Sequence, residues 1–419
     1  MIGAGIFTTS GFALADLGSA NLVLWAWVIG AVIAGLGAVC YGALARHLQQ
    51  SGGEYLFLSR SMGPSAGFLA GWISLCAGFA GAIAFAAETL QAYLQPWLPI
   101  GLPADLTGSL IIALAAALHA FRLGPGAIFQ NVAVFAKVSI LLVLAIWGWG
   151  LLPETKDASF SIPLEGRQPL NQTSSDLSLG AFELAPFAMV LMWISLSYSG
   201  WNAAVYVAGE AKDPERNIPR AMFIGTLIVT VLYLALNTVF VYSAPISVLA
   251  GREDIAAAAV ASLGSPLLES LVRIGLALAM LTSISSMVMI GPRVYAKMAD
   301  DGVFPRFFSF RGAAPQRSIF LQAGLAIPLL WVSSLRDQLT NLGWLLGICT
   351  AFSVIGLMKL RRELGKNIVP IPGYPWIPIL FTTIIFFLSG LMAWTHGSAL
   401  LPAAFVLISG VIAQRVFRA

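Results

Sequence analysis

Gly3-Ala4-Gly5-Ile6-Phe7 opens the chain, and Ser197-Tyr198-Ser199-Gly200-Trp201-Asn202 interrupts an apolar stretch that starts near Leu184. In a lipid bilayer an interrupted helix exposes backbone N–H and C=O groups that lipid cannot satisfy. Such breaks persist only where they line a cavity or meet a ligand.

The lipid setting follows from composition. Of 419 residues 58% are hydrophobic and 10% are charged, far below the charge content of soluble domains. Apolar runs of spanning length fall at 20–45 (helix 2), 65–94 (helix 3), 106–121 (helix 4), 131–152 (helix 5), 181–209 (helix 6) and 220–244 (helix 7). They continue at 266–298 (helix 8), 317–334 (helix 9), 339–358 (helix 10), 376–395 (helix 11) and 398–416 (helix 12). Residues 4–17 add a half-length helix 1 at the front. Two breaks in corresponding positions, about half a chain apart, are the sequence signature of a secondary transporter built from inverted repeats.

The distribution of Lys and Arg orients the spans. If helix 1 runs outward, Lys156, Arg167, Arg252 and Arg336 are left outside, and Lys137, Arg273 and Arg293 fall within spans. The other basic residues, among them Arg46, Arg60, Lys212, Arg216, Arg220 and Lys297, land on the opposite side, which is therefore cytoplasmic. The net charge of +4 thus reports topology and calls for no nucleic-acid partner. No G-x-x-x-x-G-K-S/T phosphate loop appears, which argues against ATP-driven pumping. Cys40, Cys76 and Cys349 sit inside apolar spans as small buried hydrophobes. His47, His119 and His396 are too scattered to draw a metal site, and nothing calls for a cofactor.

Counting the opening half as helix 1, two five-helix sets (about 4–152 and 181–358) form a 5+5 arrangement, with helices 11 and 12 (376–416) appended. An odd number of spans per set inverts the second relative to the first. The expectation is one all-α integral membrane domain over residues 1–416. The densest charge cluster, Glu210 to Arg220, reads as a solvated turn, the Ala-rich segment 245–265 as an outer surface helix, and 153–177 as an exposed external loop.

A helix N-terminus in low dielectric presents unpaired N–H groups and a positive partial charge, a site for a carboxylate. The half-helix beginning near Gly5 offers this, and Gly3 and Gly5 admit a close approach to the backbone. Free carbonyls before Gly200 could accept from an ammonium. One carboxylate and one ammonium about a helix diameter apart describe an α-amino acid. The competing reading is that small residues merely let helices pack tightly in membranes, and the glycines alone do not choose between the two.

Four motifs in order carry a resemblance over essentially the whole chain: Gly3-Ala4-Gly5-Ile6-Phe7, Ser51-Gly52-Gly53-Glu54-Tyr55, Ser197 to Asn202, and Glu210 to Ala221. They resemble the amino acid, polyamine and organocation transporter superfamily, and within it bacterial relatives of the L-type amino acid transporters. The resemblance implies the leucine-transporter type of fold. It implies a substrate carboxylate on the amides around Gly3, Ala4, Gly5 and Ile6, and an amine on the backbone near Leu196, Ser199 and Gly200. Trp201 and Asn202 would frame the side-chain pocket. The position of Leu196 usually holds an aromatic lid in similar proteins, a role Trp193 one turn earlier could take over. Similar transporters also carry an apolar half-helix before the Gly-x-Gly break, so the first half-helix is expected to be missing from this chain.

Lys137 is the basic residue within the apolar part of helix 5. Its long stem could snorkel to the cytoplasmic surface. The resemblance instead implies a lysine between helices 1 and 8, where sodium-coupled relatives bind a cation, with Thr282, Ser283, Ser285 and Ser286 as hydroxyl partners. Glu88 and Glu183 read as interfacial, and Met280, Met287, Met289 and the many Phe residues as packing. Animal L-type transporters join a heavy chain through a cysteine between helices 3 and 4; residues 95–105 contain none, so no heavy-chain subunit is expected.

Together these readings describe a multi-pass protein of the cell inner membrane, not an enzyme. The expected activity is sodium-independent transport of neutral L-amino acids by exchange or proton linkage. A proton-coupled carrier of cationic amino acids or amines is the alternative within transport. A truncated inactive homologue, or a sensor, is the alternative outside it.

Overall fold

The computed structural model describes residues 2–50, 52–99, 103–121, 127–152, 178–179, 182–264, 266–310 and 315–418. The external loop 153–177 lies outside the described residues. Helix 1 (Gly5–Leu17) ends where Gly18 turns left-handed at φ 60° and returns its amide to Leu14 O at 3.0 Å, a glycine C-cap. Ser19 then caps helix 2 (Ala20–His47) by accepting from the Leu22 amide at 3.4 Å. A short linker helix (Gly53–Met62) follows, and Pro64 starts helix 3.

Helix 3 is not uniform. It runs as α-helix over Pro64–Ile73, widens to π-helix over Ser74–Gly81, and resumes as α-helix over Ala82–Leu94. Helix 4 (Ala104–Ala120) and helix 5 (Ala127–Leu151) complete the first set. Helix 6 is α-helical over Leu184–Tyr198 and tightens to 3₁₀ geometry over Ser199–Glu210. The interruption at Ser197–Asn202 is therefore a change of winding and not an open loop. Helices 7 (Pro214–Tyr242), 8 (Pro266–Asp300), 9 (Gln316–Val332), 10 (Leu335–Leu364), 11 (Trp376–Thr395) and 12 (Leu401–Arg418) follow.

Among the described residues nine helices have the length and apolarity of membrane spans, and the apolar helix Asp105–Ala120 falls just short of that length. Residues such as Phe135, Ile146, Val231, Trp394 and Phe405 are exposed on the bundle's outside, as expected where lipid is the solvent.

Two readings change. The cluster Glu210–Arg220 is mostly helical, because Pro214 starts helix 7 and only residues 211–213 turn. The segment 245–265 is not a surface helix. It folds into Ile246–Leu249 and Ile255–Ser262, and Ile255 through Val260 are buried. The Gly251 amide bonds to Gly11 O at 2.8 Å, and the Ala256 amide to the Tyr93 hydroxyl at 3.2 Å. This segment is a plug over helix 1, and its alanines permit the close fit.

Helix 1 is held inside the bundle by polar groups that satisfy one another. Thr9 Oγ1 lies 3.1 Å from Ser197 Oγ, Trp27 Nε1 donates to Ser10 Oγ at 2.9 Å, and Ser10 Oγ donates to Asn237 Oδ1. Asn237 Nδ2 in turn donates to Tyr233 O at 2.8 Å. All of these side chains are buried, where an unmade hydrogen bond would cost about 1–3 kcal/mol.

Candidate functional site

The two interruptions meet. A Cβ on Gly5 would lie 2.3 Å from Ser197 Oγ and 2.9 Å from Ser197 Cα, so helix 1 rests on helix 6 at a distance only glycine permits. Tyr233 of helix 7, fully buried, bridges both breaks: its hydroxyl donates to Ser197 O at 3.4 Å and takes a hydrogen bond from the Gly3 backbone.

Beside this junction lies a cavity of about 510 Å³. Gly3, Ala4 and Gly5 border it from helix 1, and Leu196, Ser197, Ser199, Gly200, Asn202, Ala203 and Tyr206 from helix 6. Lys137 and Val134 enter from helix 5, and Thr282, Ser283, Ser286 and Met287 from helix 8. Helix 3 supplies Gly78, Phe79, Ala82, Phe85 and Ala86, so its π-helical stretch faces this space. π-Turns recur at functional sites because they displace side chains from the regular helical path.

The sequence-derived candidates divide. Gly3, Ala4, Gly5, Leu196, Ser199, Gly200, Asn202, Lys137, Ser283 and Ser286 border one cavity. Ile6 does not; its side chain is fully buried. Trp201 does not border that cavity; its ring stands edge-on to Tyr41 at 4.8 Å and borders an adjoining space of about 40 Å³ that shares Leu196, Ser199, Asn202 and Leu346 with it. Trp193 is not over the cavity either. It is fully buried toward the outside, donating from Nε1 to Thr340 Oγ1 at 3.0 Å, with the Arg336 guanidinium 5.2 Å above its ring.

Backbone groups at the two breaks are not equally available. Helix 1 starts at Gly5 without a side-chain cap, and the Phe7 amide turns back to Ala4 O at 3.0 Å. The amides of Gly5 and Ile6 occupy the first helical turn, where no intrahelical acceptor exists. On helix 6 the Leu196 carbonyl accepts from the Ser199 amide and from Ser199 Oγ at 2.7 Å. An ammonium arriving there would share or displace these bonds.

Lys137 does not snorkel. Its ammonium donates to Ile2 O at 3.0 Å, tying helix 5 to the segment just before the first break. Of the expected hydroxyl partners, Ser283 and Ser286 border the same cavity while bonding to Ala279 O and Thr282 O of their own helix at 2.9 and 2.8 Å. Ser285 points elsewhere, its hydroxyl 2.8 Å from His119 Nε2 on helix 4.

Phe79, Phe85, Met287 and Tyr206 also border the cavity, so reading the aromatic and methionine residues as packing alone is too simple. Their signal was faint, because apolar side chains in apolar spans look alike until the bundle is assembled. The Gly78 to Gly81 run, loosening helix 3 next to Phe79, was the available hint. Among the described residues no group of His, Cys, Asp and Glu could hold a metal ion.

A helical bundle crossing the membrane many times, with two helix interruptions abutting beside one large cavity, is the architecture of a secondary transporter. The chain belongs to the amino acid permease family, whose sequence model matches residues 1–412. It is 26% identical to the serine/threonine exchanger SteT of Bacillus subtilis, over 93% of this chain and 87% of that protein. It is 25% identical to the mouse Asc-type amino acid transporter 1, over 93% and 73%. The mouse large neutral amino acids transporter small subunit 2 is also 25% identical, over 94% and 74%. The chain is a multi-pass membrane transporter of amino acids, not an enzyme.

Proposed function

We propose that this chain moves neutral L-amino acids across the cytoplasmic membrane by alternating access, without sodium. The carrying observation is the composition of the cavity wall. Among the described lining residues the one Lys, Arg, Asp or Glu is Lys137, and the remainder are glycines, hydroxyls, Asn202 and apolar or aromatic side chains. A zwitterion's own charges would meet backbone groups at the breaks, with its carboxylate on the first-turn amides near Gly5 and Ile6. No carboxylate in that wall awaits a second ammonium, so a dibasic substrate would bring an uncompensated charge into low dielectric at a cost of several kcal/mol. Serine and threonine, the substrates in the name of the B. subtilis relative, are neutral.

Sodium independence rests on Lys137. An ammonium beside the first break occupies the neighbourhood a coupling cation would need, and a second positive charge there would be repelled. Exchange, the mode in that same relative's name, and proton linkage are the two drives compatible with a fixed lysine. One of the mouse relatives is by name a small subunit, yet residues 95–105 offer no cysteine for a heavy chain, and we expect this chain to work alone.

The test is flux into liposomes holding the purified chain alone, with sodium, pH gradient and internal amino acid varied separately. Uptake of neutral amino acids that survives replacement of sodium by choline supports the reading. Uptake that requires sodium, that favours arginine, or that needs a second subunit overturns it.

A further inference from the structure

Glu54 is a carboxylate in a costly place. It begins the linker helix between helices 2 and 3, is 3% exposed, and no described Lys or Arg pairs with it. Three neutral donors converge on it instead. Asn202 Nδ2 and the Tyr41 hydroxyl reach Oε1 at 2.7 and 3.2 Å, and the Tyr206 hydroxyl donates to Oε2. An ionised carboxylate only accepts and has room for several donors, and charge-assisted bonds of this kind are roughly twice as strong as neutral ones.

Two of those donors, Asn202 and Tyr206, border the amino-acid cavity. Both lie on the 3₁₀ half of helix 6, where hydrogen-bond geometry is poorer than in an α-helix. The linker compensates by direct contact. Gly53 takes φ +54°, and a Cβ there would stand 2.2 Å from the Tyr206 ring, so the linker backbone lies flat against it. Phe79, also in the cavity wall, meets the same ring edge-on at 5.3 Å. One residue on, Tyr55 donates to Asp301 Oδ2 at 2.8 Å, beyond the inner end of helix 8. The linker thereby grips the inner half of helix 6 and the inner end of helix 8 together.

We propose that Glu54 is a positioning residue for the amino-acid site: its carboxylate fixes Asn202 and Tyr206 in the cavity wall and so makes substrate affinity depend on the inner linker. This rests on the reading of the cavity as the substrate site. A merely structural acid would alter the amount of folded protein and leave the affinity of what remains unchanged.

The experiment is a double-mutant cycle on KM in liposomes, with Vmax normalised to folded protein. Glu54→Gln keeps the size but presents an amide group to one of the donors; KM should rise about 10-fold, the scale of one lost hydrogen bond to a charged group. Asn202→Ala should also raise KM, and the double variant should be no worse than the more impaired single, because the residues act as one unit. Tyr41→Phe removes the donor that does not border the cavity and should leave KM within about twofold. If Glu54→Gln gives too little folded protein, Glu54→Asp keeps the charge and shortens its reach, and is expected to raise KM in the same non-additive way. A KM unchanged in both Glu54 variants, or effects that multiply with Asn202→Ala, would overturn the proposal while leaving the cavity reading in place. An Asn202→Ala variant with wild-type KM would overturn both.

Discussion

The outer and inner halves of helix 1 show how differently one helix can be held. Its outer half is locked by direct contact. Gly11 O accepts from the Gly251 amide at 2.8 Å, and a Cβ on Gly11 would sit 2.0 Å from Arg252 O. Asp16 takes both oxygens to Arg336 Nη2 at 2.6 and 2.7 Å, and Arg336 lies over Trp193. Behind this, buried Arg273 pairs with Asp254 and Glu269 at 3.0 and 2.9 Å, bracing the plug. Its inner end instead borders open volume, and what holds it is a glycine contact at Ser197, the Tyr233 bridge and the Lys137 bond to Ile2. The outer half is packed by groups that fit each other, whereas the inner end borders a cavity whose wall leaves room for something else.

That asymmetry can be broken most severely at the glycines. Gly5→Leu should abolish transport of every amino acid alike, since even its Cβ overlaps Ser197; loss of one substrate with others intact would contradict a shared backbone site. Gly11→Ala strikes the outer lock instead, forcing the plug away from helix 1. Substrate should still bind to this variant while turnover falls by more than about tenfold, as measured by equilibrium binding beside flux. If the two glycine variants behave identically, the outer and inner regions do not play separate roles.

Lys137→Ala comes next. It removes the tie to Ile2, and turnover should fall about 10-fold, in line with a lost charged hydrogen bond, with folding little affected because a lysine in the bilayer itself costs about 2.5–3.5 kcal/mol. Flux and thermal stability measured together check this, and unaltered kinetics would mean that the lysine has no part in the cycle. Asp16→Asn weakens an ion pair that is partly solvent-exposed on the arginine side, so the expected change is small, about 1 kcal/mol. It should appear as a few-fold rise in accessibility of a cysteine placed at Phe12 to an outside thiol reagent. Ser285→Ala should change flux by less than about twofold, because that hydroxyl serves His119 and not the cavity. The same change at Ser283 should be felt more.

Much of this layout could be read from sequence because lipid imposes strict rules. The order of helices 1 to 12 and the two interruptions follow from where backbone could not be left in hydrocarbon, whereas the inward placement of Lys137 comes from the family resemblance, since its stem is long enough to snorkel. The glycines alone leave tight packing and a binding site equally open, and it is the family resemblance that puts Gly3, Gly5, Gly200 and Asn202 around one site; the structure has them border one cavity. The partners across helices were not legible. Ser285 differs from Ser283 and Ser286 only by its angle around helix 8, and His119, which decides where it points, lies far away in sequence. Ile6 and Trp201 sit within the motifs yet face packed neighbours. Burial of the Ala-rich plug depended on a contact with helix 1 that no local pattern announces, and Glu54 gained its meaning only when Asn202 and Tyr206 arrived beside it.

The central claim, that the amino acid sits in the cavity between the two breaks, is tested most directly by substrate protection at Ser283. A Ser283→Cys variant places a thiol in that wall, against a background of Cys40 and Cys349, which are buried, and Cys76, which the wild-type chain controls for. Labelling by a small water-soluble thiol reagent, measured with and without a saturating neutral amino acid, should be slowed several-fold by the amino acid in the sodium-free state. Labelling that is indifferent to an amino acid the same variant still transports would contradict it.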